Sequence, residues 1–208
     1  MFHTIFVPLD GSPFAEQALP YALSLARRAD ARLELVRAHL CYADKEPSCA
    51  WLPYEPDEDA RQRQEEQLYL QGTADLLNAV SPGQFTTALL PTPLFGAGPL
   101  LERLRASKPD LVVMATHGRR PVARFFLDSI ADEVVRHSGT PVLVPAREPA
   151  PGLIPEPPME EVLVPLDGSA LAEEALDPAT DLARLTEAEA AGLRPPSSAE
   201  NNPGRGSR

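Results

Sequence analysis

Five short apolar runs, each separated from the next by a stretch of helical periodicity, constrain this chain more than any other feature. Residues 4–9 (Thr-Ile-Phe-Val-Pro-Leu) show no alternation of apolar and polar positions, as expected of a strand covered on both faces. Asp10-Gly11-Ser12-Pro13 follows: Gly frees the backbone for a tight turn, Ser12 can cap a helix and Pro13 suits its first turn. Over 15–28 the apolar positions Ala15, Ala18, Leu19, Ala22, Leu25 and Ala26 form one stripe, closed by Arg27 and Arg28 where the helix dipole favours cations. With a further strand at 33–38, this is a βαβ unit, which implies a parallel pair and a right-handed crossover.

The pattern continues to residue 145. A Pro-rich, aromatic and acidic loop (41–57) leads to a helix at 58–80, a strand at 84–90, a helix at 98–106, a strand at 110–116, a helix at 129–138 and a strand at 141–145. Five strands and four helices in alternation predict an α/β fold: an open, doubly wound, five-stranded parallel sheet of Rossmann-like type with helices on both faces. Such sheets bind ligands at the carboxyl ends of their strands.

An internal repeat extends beyond this domain. Val7-Pro8-Leu9-Asp10-Gly11-Ser12 returns as Val164-Pro165-Leu166-Asp167-Gly168-Ser169, an offset of 157, and Leu25-Ala26-Arg27 returns as Leu182-Ala183-Arg184. The sequence therefore divides into a domain at 1–147, a Pro-rich linker at 148–160 and the start of a second copy at 161–190. That copy is expected to hold one strand and one helix and to break off before a disordered tail at 191–208. A single strand and helix bury too little apolar surface to form a core, so 162–185 must dock elsewhere or stay mobile.

Charge narrows the function. Residues 1–150 hold 19 acidic and 15 basic side chains, whereas 151–208 hold 11 and 4, and the whole carries a net charge of −11 with no run of Lys or Arg. Sequence-independent binding to DNA or RNA needs phosphate neutralisation, so nucleic acid is excluded as a partner. No basic leader followed by an apolar stretch opens the chain, and no window reaches the roughly 18 apolar residues of a membrane span, which predicts a cytoplasmic protein without a membrane partner. Cys41 and Cys49 lack the spacing and neighbours of a metal site and read as ordinary loop thiols.

Val-Pro-Leu-Asp-Gly-Ser at the end of the first strand, Met114-Ala115-Thr116-His117-Gly118-Arg119 after the fourth, and Thr140-Pro141-Val142-Leu143-Val144 at the fifth closely resemble the universal stress protein family. The resemblance covers 1–146 and restarts at 162. It implies an adenine nucleotide alpha hydrolase-like sheet, a stress-response module acting as sensor or regulator, ATP (with Mg²⁺) as ligand, and a homodimer through the edge strand 141–145. Members that bind ATP carry Gly, two residues, Gly, nine residues, Gly, then Ser or Thr, whose small residues and helix N-terminus admit phosphate to backbone amides. Carried over, Asp10 matches the nucleoside-binding aspartate, Ala38 the residue near adenine, Gly118 the second glycine and Ser129 the final serine. Pro8, Leu9, Met114, His117, Arg119 and Ile130 complete the implied pocket lining.

Two positions depart from that pattern: Ala115 replaces the first glycine and Asp128 the third. Ala115 adds one methyl group, tolerable at negative φ. Asp128 sets a carboxylate beside the phosphate-binding amides, and two like charges at about 4 Å repel by roughly 4 kcal/mol at an effective dielectric of 20. It is also a good N-cap residue, able to occupy the amides itself. Against that stand Arg119, Arg120 and Arg124, or a divalent cation bridging Asp128 to phosphate. Two readings follow, a nucleotide-binding sensor and a regulatory or structural dimer whose phosphate site Asp128 blocks.

Catalysis finds little support. There is no GxxxxGK[ST] loop, Gly96-Ala97-Gly98 runs into Pro99 instead of a dinucleotide fingerprint, and neither Ser12 nor Ser129 lies in a Gly-x-Ser-x-Gly elbow. His117 has no carboxylate spaced to form a triad and reads as a loop histidine. The acidic run at 55–66 reads as a solvated helix face.

Overall fold

The structure is a computed structural model that describes residues 2–40, 56–92, 97–115, 128–145 and 159–193. The chain divides into two units, one ending at Pro157 and the other beginning at Pro158.

In the first unit β1 (Thr4–Pro8) is followed by a 3₁₀ turn (Ala15–Gln17) and α1 (Ala18–Ala29), then β2 (Arg32–Leu40), α2 (Pro56–Val80), β3 (Phe85–Thr92), α3 (Gly98–Ser107), β4 (Leu111–Val113), α4 (Asp128–His137) and β5 (Val142–Leu143). All strand pairs are parallel and the sheet order is β3-β2-β1-β4-β5. The chain winds outward from β1 to β3, then crosses back to lay β4 on the other side of β1. This is the topological switch of an open doubly wound sheet, as the alternation predicted.

Local chemistry explains the elements. Ser12 Oγ accepts a hydrogen bond from the Ala15 amide at 3.1 Å, and the Ser12 amide donates to Asp10 Oδ1 at 2.8 Å, so turn and helix entry share two adjacent side chains. α1 ends at Asp30, which takes the left-handed conformation with φ 53° while its amide bonds the Ala26 carbonyl. Phe6 of β1, Val36 of β2 and Val112 of β4 pack with Leu100, Leu101 and Leu104 of α3 and Val134 of α4. On the opposite face α1 packs against β1 and α2 against β2 and β3. Glu34, buried on β2, accepts from Arg103 Nε at 2.6 Å, and the Ala97 amide at the start of α3 donates to Glu133 of α4 at 3.1 Å. One of the free amides at that helix start is thereby satisfied by a neighbouring helix.

The strands at the sheet's far side are shorter than predicted. β4 covers Leu111–Val113 within the predicted 110–116, and β5 covers Val142–Leu143 within 141–145. Apolar composition marks where a strand is buried, whereas the ladder extends only as far as its neighbour runs alongside.

The second unit contains β6 (Glu161–Pro165), α5 (Ala170–Glu173), α6 (Leu176–Thr186) and β7 (Glu189–Leu193), with β6 and β7 parallel. The expectation of one strand and one helix, with a disordered tail from 191, misses β7. Its Glu-Ala-Ala-Gly-Leu composition is poor in β-branched and aromatic residues, so pairing with β6 rather than propensity makes it a strand. The register repeats that of the first unit: Thr4 lies opposite Arg32 through Pro8 opposite Val36, and Glu161 opposite Glu189 through Pro165 opposite Leu193. The Ser169 amide donates to Asp167 Oδ1 at 2.8 Å and Ser169 Oγ accepts from the Ala172 amide at 3.1 Å, matching the Asp10–Ser12 turn. Val162 and Val164 are buried on the side that meets α6, but Leu163 is 48% exposed where its counterpart Phe6 is 1% exposed.

Candidate functional site

The carboxyl ends of β2, β1 and β4 lie side by side because of the sheet order, and there the structure gathers the predicted residues of three separate segments. Pro8 ends β1, and the buried Leu9 continues it with its amide bonded to the Val36 carbonyl at 2.7 Å. Asp10 is exposed with one carboxylate oxygen held by the Ser12 amide, so its side chain is oriented while facing solvent. At the equivalent Asp167 the Ser169 hydroxyl first, and then the Ser169 amide, hold the carboxyl below its usual range.

Ala38 is half-buried near the end of β2, opposite Leu90 of β3. Met114 is buried in the α3–α4 core and its amide bonds the Leu143 carbonyl at 3.1 Å, with Ala115 half-exposed just beyond. Ile130 packs against the same core from α4. The backbone of Asp128 already belongs to α4, so Ser129 lies in the first turn rather than before it. His117, Gly118 and Arg119, with Arg120 and Arg124, lie outside the described residues.

Gly11 bears a specific demand. Its φ is +83°, and a Cβ there would sit 2.4 Å from Arg37 Nη1 on β2. The Arg37 guanidinium thus lies against the turn that orients Asp10. It donates to Glu66 Oε1 at 3.1 Å and lies over the Tyr69 ring, 5.3 Å from its centroid. The Tyr69 hydroxyl donates to Glu16 Oε1 at 2.8 Å, and burial followed by that carboxylate pushes its pKa well up.

This polar cluster corrects the reading of 55–66 as a solvated face, since Asp59 is 6% and Glu66 8% exposed and both reach His39. The signal was present in the sequence. Arg37 and His39 are two apart on a strand, hence on one face, and Asp59 and Glu66 are seven apart on a helix, hence also on one face. Among the described residues no group of three or more His, Cys, Asp or Glu side chains is arranged to hold a metal ion, and no helix is long and apolar enough to cross a membrane.

Residues 1–145 match the sequence profile of the universal stress protein family. The chain belongs to that family. A universal stress protein of Thermus aquaticus is 33% identical over 146 residues, spanning 69% of this chain and 98% of the relative. Among solved structures, a universal stress protein family member from Burkholderia pseudomallei superposes with a TM-score of 0.51 at 26% identity, over 70% of this chain and 97% of that one. A universal stress protein from Archaeoglobus fulgidus superposes with a TM-score of 0.63 at 16% identity, over 95% of this chain and 68% of its own, a likeness of fold that reaches past residue 145. Within the universal stress protein domain the residues brought together are those on β1, β2, β4 and the start of α4.

Proposed function

We propose that this universal stress protein binds an adenine nucleotide, ATP with Mg²⁺, at the carboxyl edge of β2, β1 and β4, and acts in the cytoplasm as a stress sensor or regulator rather than an enzyme. The observation that carries this reading is the Asp10 carboxylate, exposed yet oriented by the Ser12 amide beside the β1–β4 switch point, where ribose hydroxyls would meet a fixed acceptor. Ala38 on one side and Ala115 on the other, both half-buried, supply an adjoining surface of small apolar residues for a base, with Met114 buried beneath. Phosphates would extend toward Gly118, Arg119 and the first turn of α4, whose amides favour an anion. Dimerisation through the edge strand β5 and its neighbours 141–145 belongs to the same reading, as does the second unit as the opening of a repeated domain, supported by its register and turn chemistry.

A second reading is favoured by Asp128, which stands at the first position of α4 where phosphate would bind. On it, the carboxylate blocks the anion and the chain is a regulatory or structural dimer of the same fold. Isothermal titration with ATP and Mg²⁺ separates the two. Saturable micromolar binding by the unaltered chain, weakened at least tenfold in Asp10→Ala, supports the first; binding only by Asp128→Gly supports the second.

A further inference from the structure

The two halves of α2 are attached to the sheet by different chemistry. Its buried residues are Asp59, Glu66, Leu70, Ala74 and Leu77, so every apolar anchor lies in the second half and the first half buries only two carboxylates. Both carboxylates converge on His39 of β2, whose side chain is fully buried: Glu66 Oε2 lies 2.7 Å from Nδ1 and Asp59 Oδ1 lies 3.3 Å from Nε2. The other carboxylate oxygens are taken by arginines, Glu66 Oε1 accepting from Arg37 Nη2 at 3.1 Å and Asp59 Oδ2 from Arg63 Nη2 at 2.9 Å.

A carboxylate accepts and cannot donate, and a neutral imidazole has a single N–H. With both acids ionised, the two contacts to His39 are both hydrogen bonds only when the ring carries two protons. In the neutral ring one nitrogen lone pair faces an oxygen lone pair inside a buried site, where an unmade bond is expensive. Among the described residues the charged groups around His39 are Asp59 and Glu66 from α2, Arg63 behind Asp59, and Arg37 on its own strand. Its register partner on β3 is the uncharged Pro91, and Glu16 of the 3₁₀ turn is reached only through Tyr69. Among the described residues the two arginines match the two carboxylates one for one, and each ring nitrogen of His39 meets one of those carboxylates.

We propose that His39 is a proton-operated clamp on α2. With two ring protons it fastens the first half of the helix to the carboxyl end of β2, and with one it releases that half while Leu70, Ala74 and Leu77 keep the second half docked. Ala38 stands between Arg37 and His39, so the clamp borders the nucleotide site. Any coupling to a ligand rests on the nucleotide reading, whereas the clamp itself does not.

The test is amide hydrogen exchange on the full chain without nucleotide, from roughly pH 5.5 to roughly pH 8, the range in which histidine changes charge. Rates are corrected for intrinsic pH dependence and amides 70–77 serve as the internal reference. Protection of amides 60–66 should fall about tenfold or more relative to that reference as pH rises, the scale of one charge-assisted hydrogen bond. Glu66→Gln keeps an acceptor for Arg37 and offers an amide N–H to the unprotonated Nδ1, so its step should flatten with the helix still docked. His39→Gln should lose the step, and if that variant does not fold, the unaltered chain and Glu66→Gln decide. No step in the unaltered chain, or an undiminished step in Glu66→Gln, overturns the clamp whether or not nucleotide binds.

Discussion

Substituting Gly11 by alanine strikes the turn that orients Asp10 in two separable ways. Its φ of +83° imposes a left-handed strain of about 1–2 kcal/mol on any residue with a Cβ. The new Cβ also lands 2.4 Å from Arg37 Nη1, too close to remain. Arg37 is a flexible side chain and can retreat, but retreat breaks its 3.1 Å bond to Glu66 and its contact over Tyr69. A charge-assisted hydrogen bond contributes about 1.5–3 kcal/mol and a partly exposed cation–π contact about 0.5–1 kcal/mol. Partial recovery by the displaced guanidinium leaves an expected displacement cost of about 1–2 kcal/mol, for a total near 3 kcal/mol. A double-mutant cycle with Arg37→Ala isolates the second part, because Gly11→Ala then meets only backbone strain. Urea denaturation of the four proteins should give a coupling energy of about 1–2 kcal/mol. Coupling within about 0.5 kcal/mol, the error of additivity for independent sites, refutes the contact between Arg37 and the turn.

Other substitutions test the packing and the polar anchors. Phe6→Ala should destabilise the first unit by about 3–5 kcal/mol in denaturant unfolding, whereas Leu163→Ala, at the matching position of the repeat, should change stability by less than about 1 kcal/mol because its side chain is already half in water. Arg103→Met strands the buried Glu34 and should cost about 3 kcal/mol or more at neutral pH, with Glu34→Gln in the same chain recovering a large part; equal losses in single and double variants would refute the pairing. Ser12→Ala removes the acceptor for the Ala15 amide and should cost about 1 kcal/mol by thermal or urea unfolding.

The sheet was legible because its central strands are unbroken apolar runs, Ile5 to Val7 and Leu111 to Val113, and because the Asp-Gly-Ser turn announces both a strand end and a helix start. β7 was illegible because Glu189, Ala190, Ala191 and Gly192 favour no strand by themselves and take their conformation from β6. The Asp10, Ala38 and Met114 side of the candidate site came from the family resemblance, and the sheet order sets the strand ends that carry these residues side by side. The cluster around His39 is not legible from the acidic run alone, because which acids turn inward depends on the strand face that the helix meets. Its two inward acids differ from Glu58 and Glu65 only in phase along the helix.

The shared spacing of the two βαβ units bears on how the chain folds from denaturant. β4 pairs with β1 through Ile5 and Phe6, and β6 offers Val162 and Leu163 at the matching positions with the same residues following. On the ribosome β1 and β4 emerge and associate before β6 has been made, so synthesis order removes the competitor. Dilution from urea presents both strands to β4 at once, so a slow phase in stopped-flow refolding that Leu163→Asp removes is the expected signature of that competition.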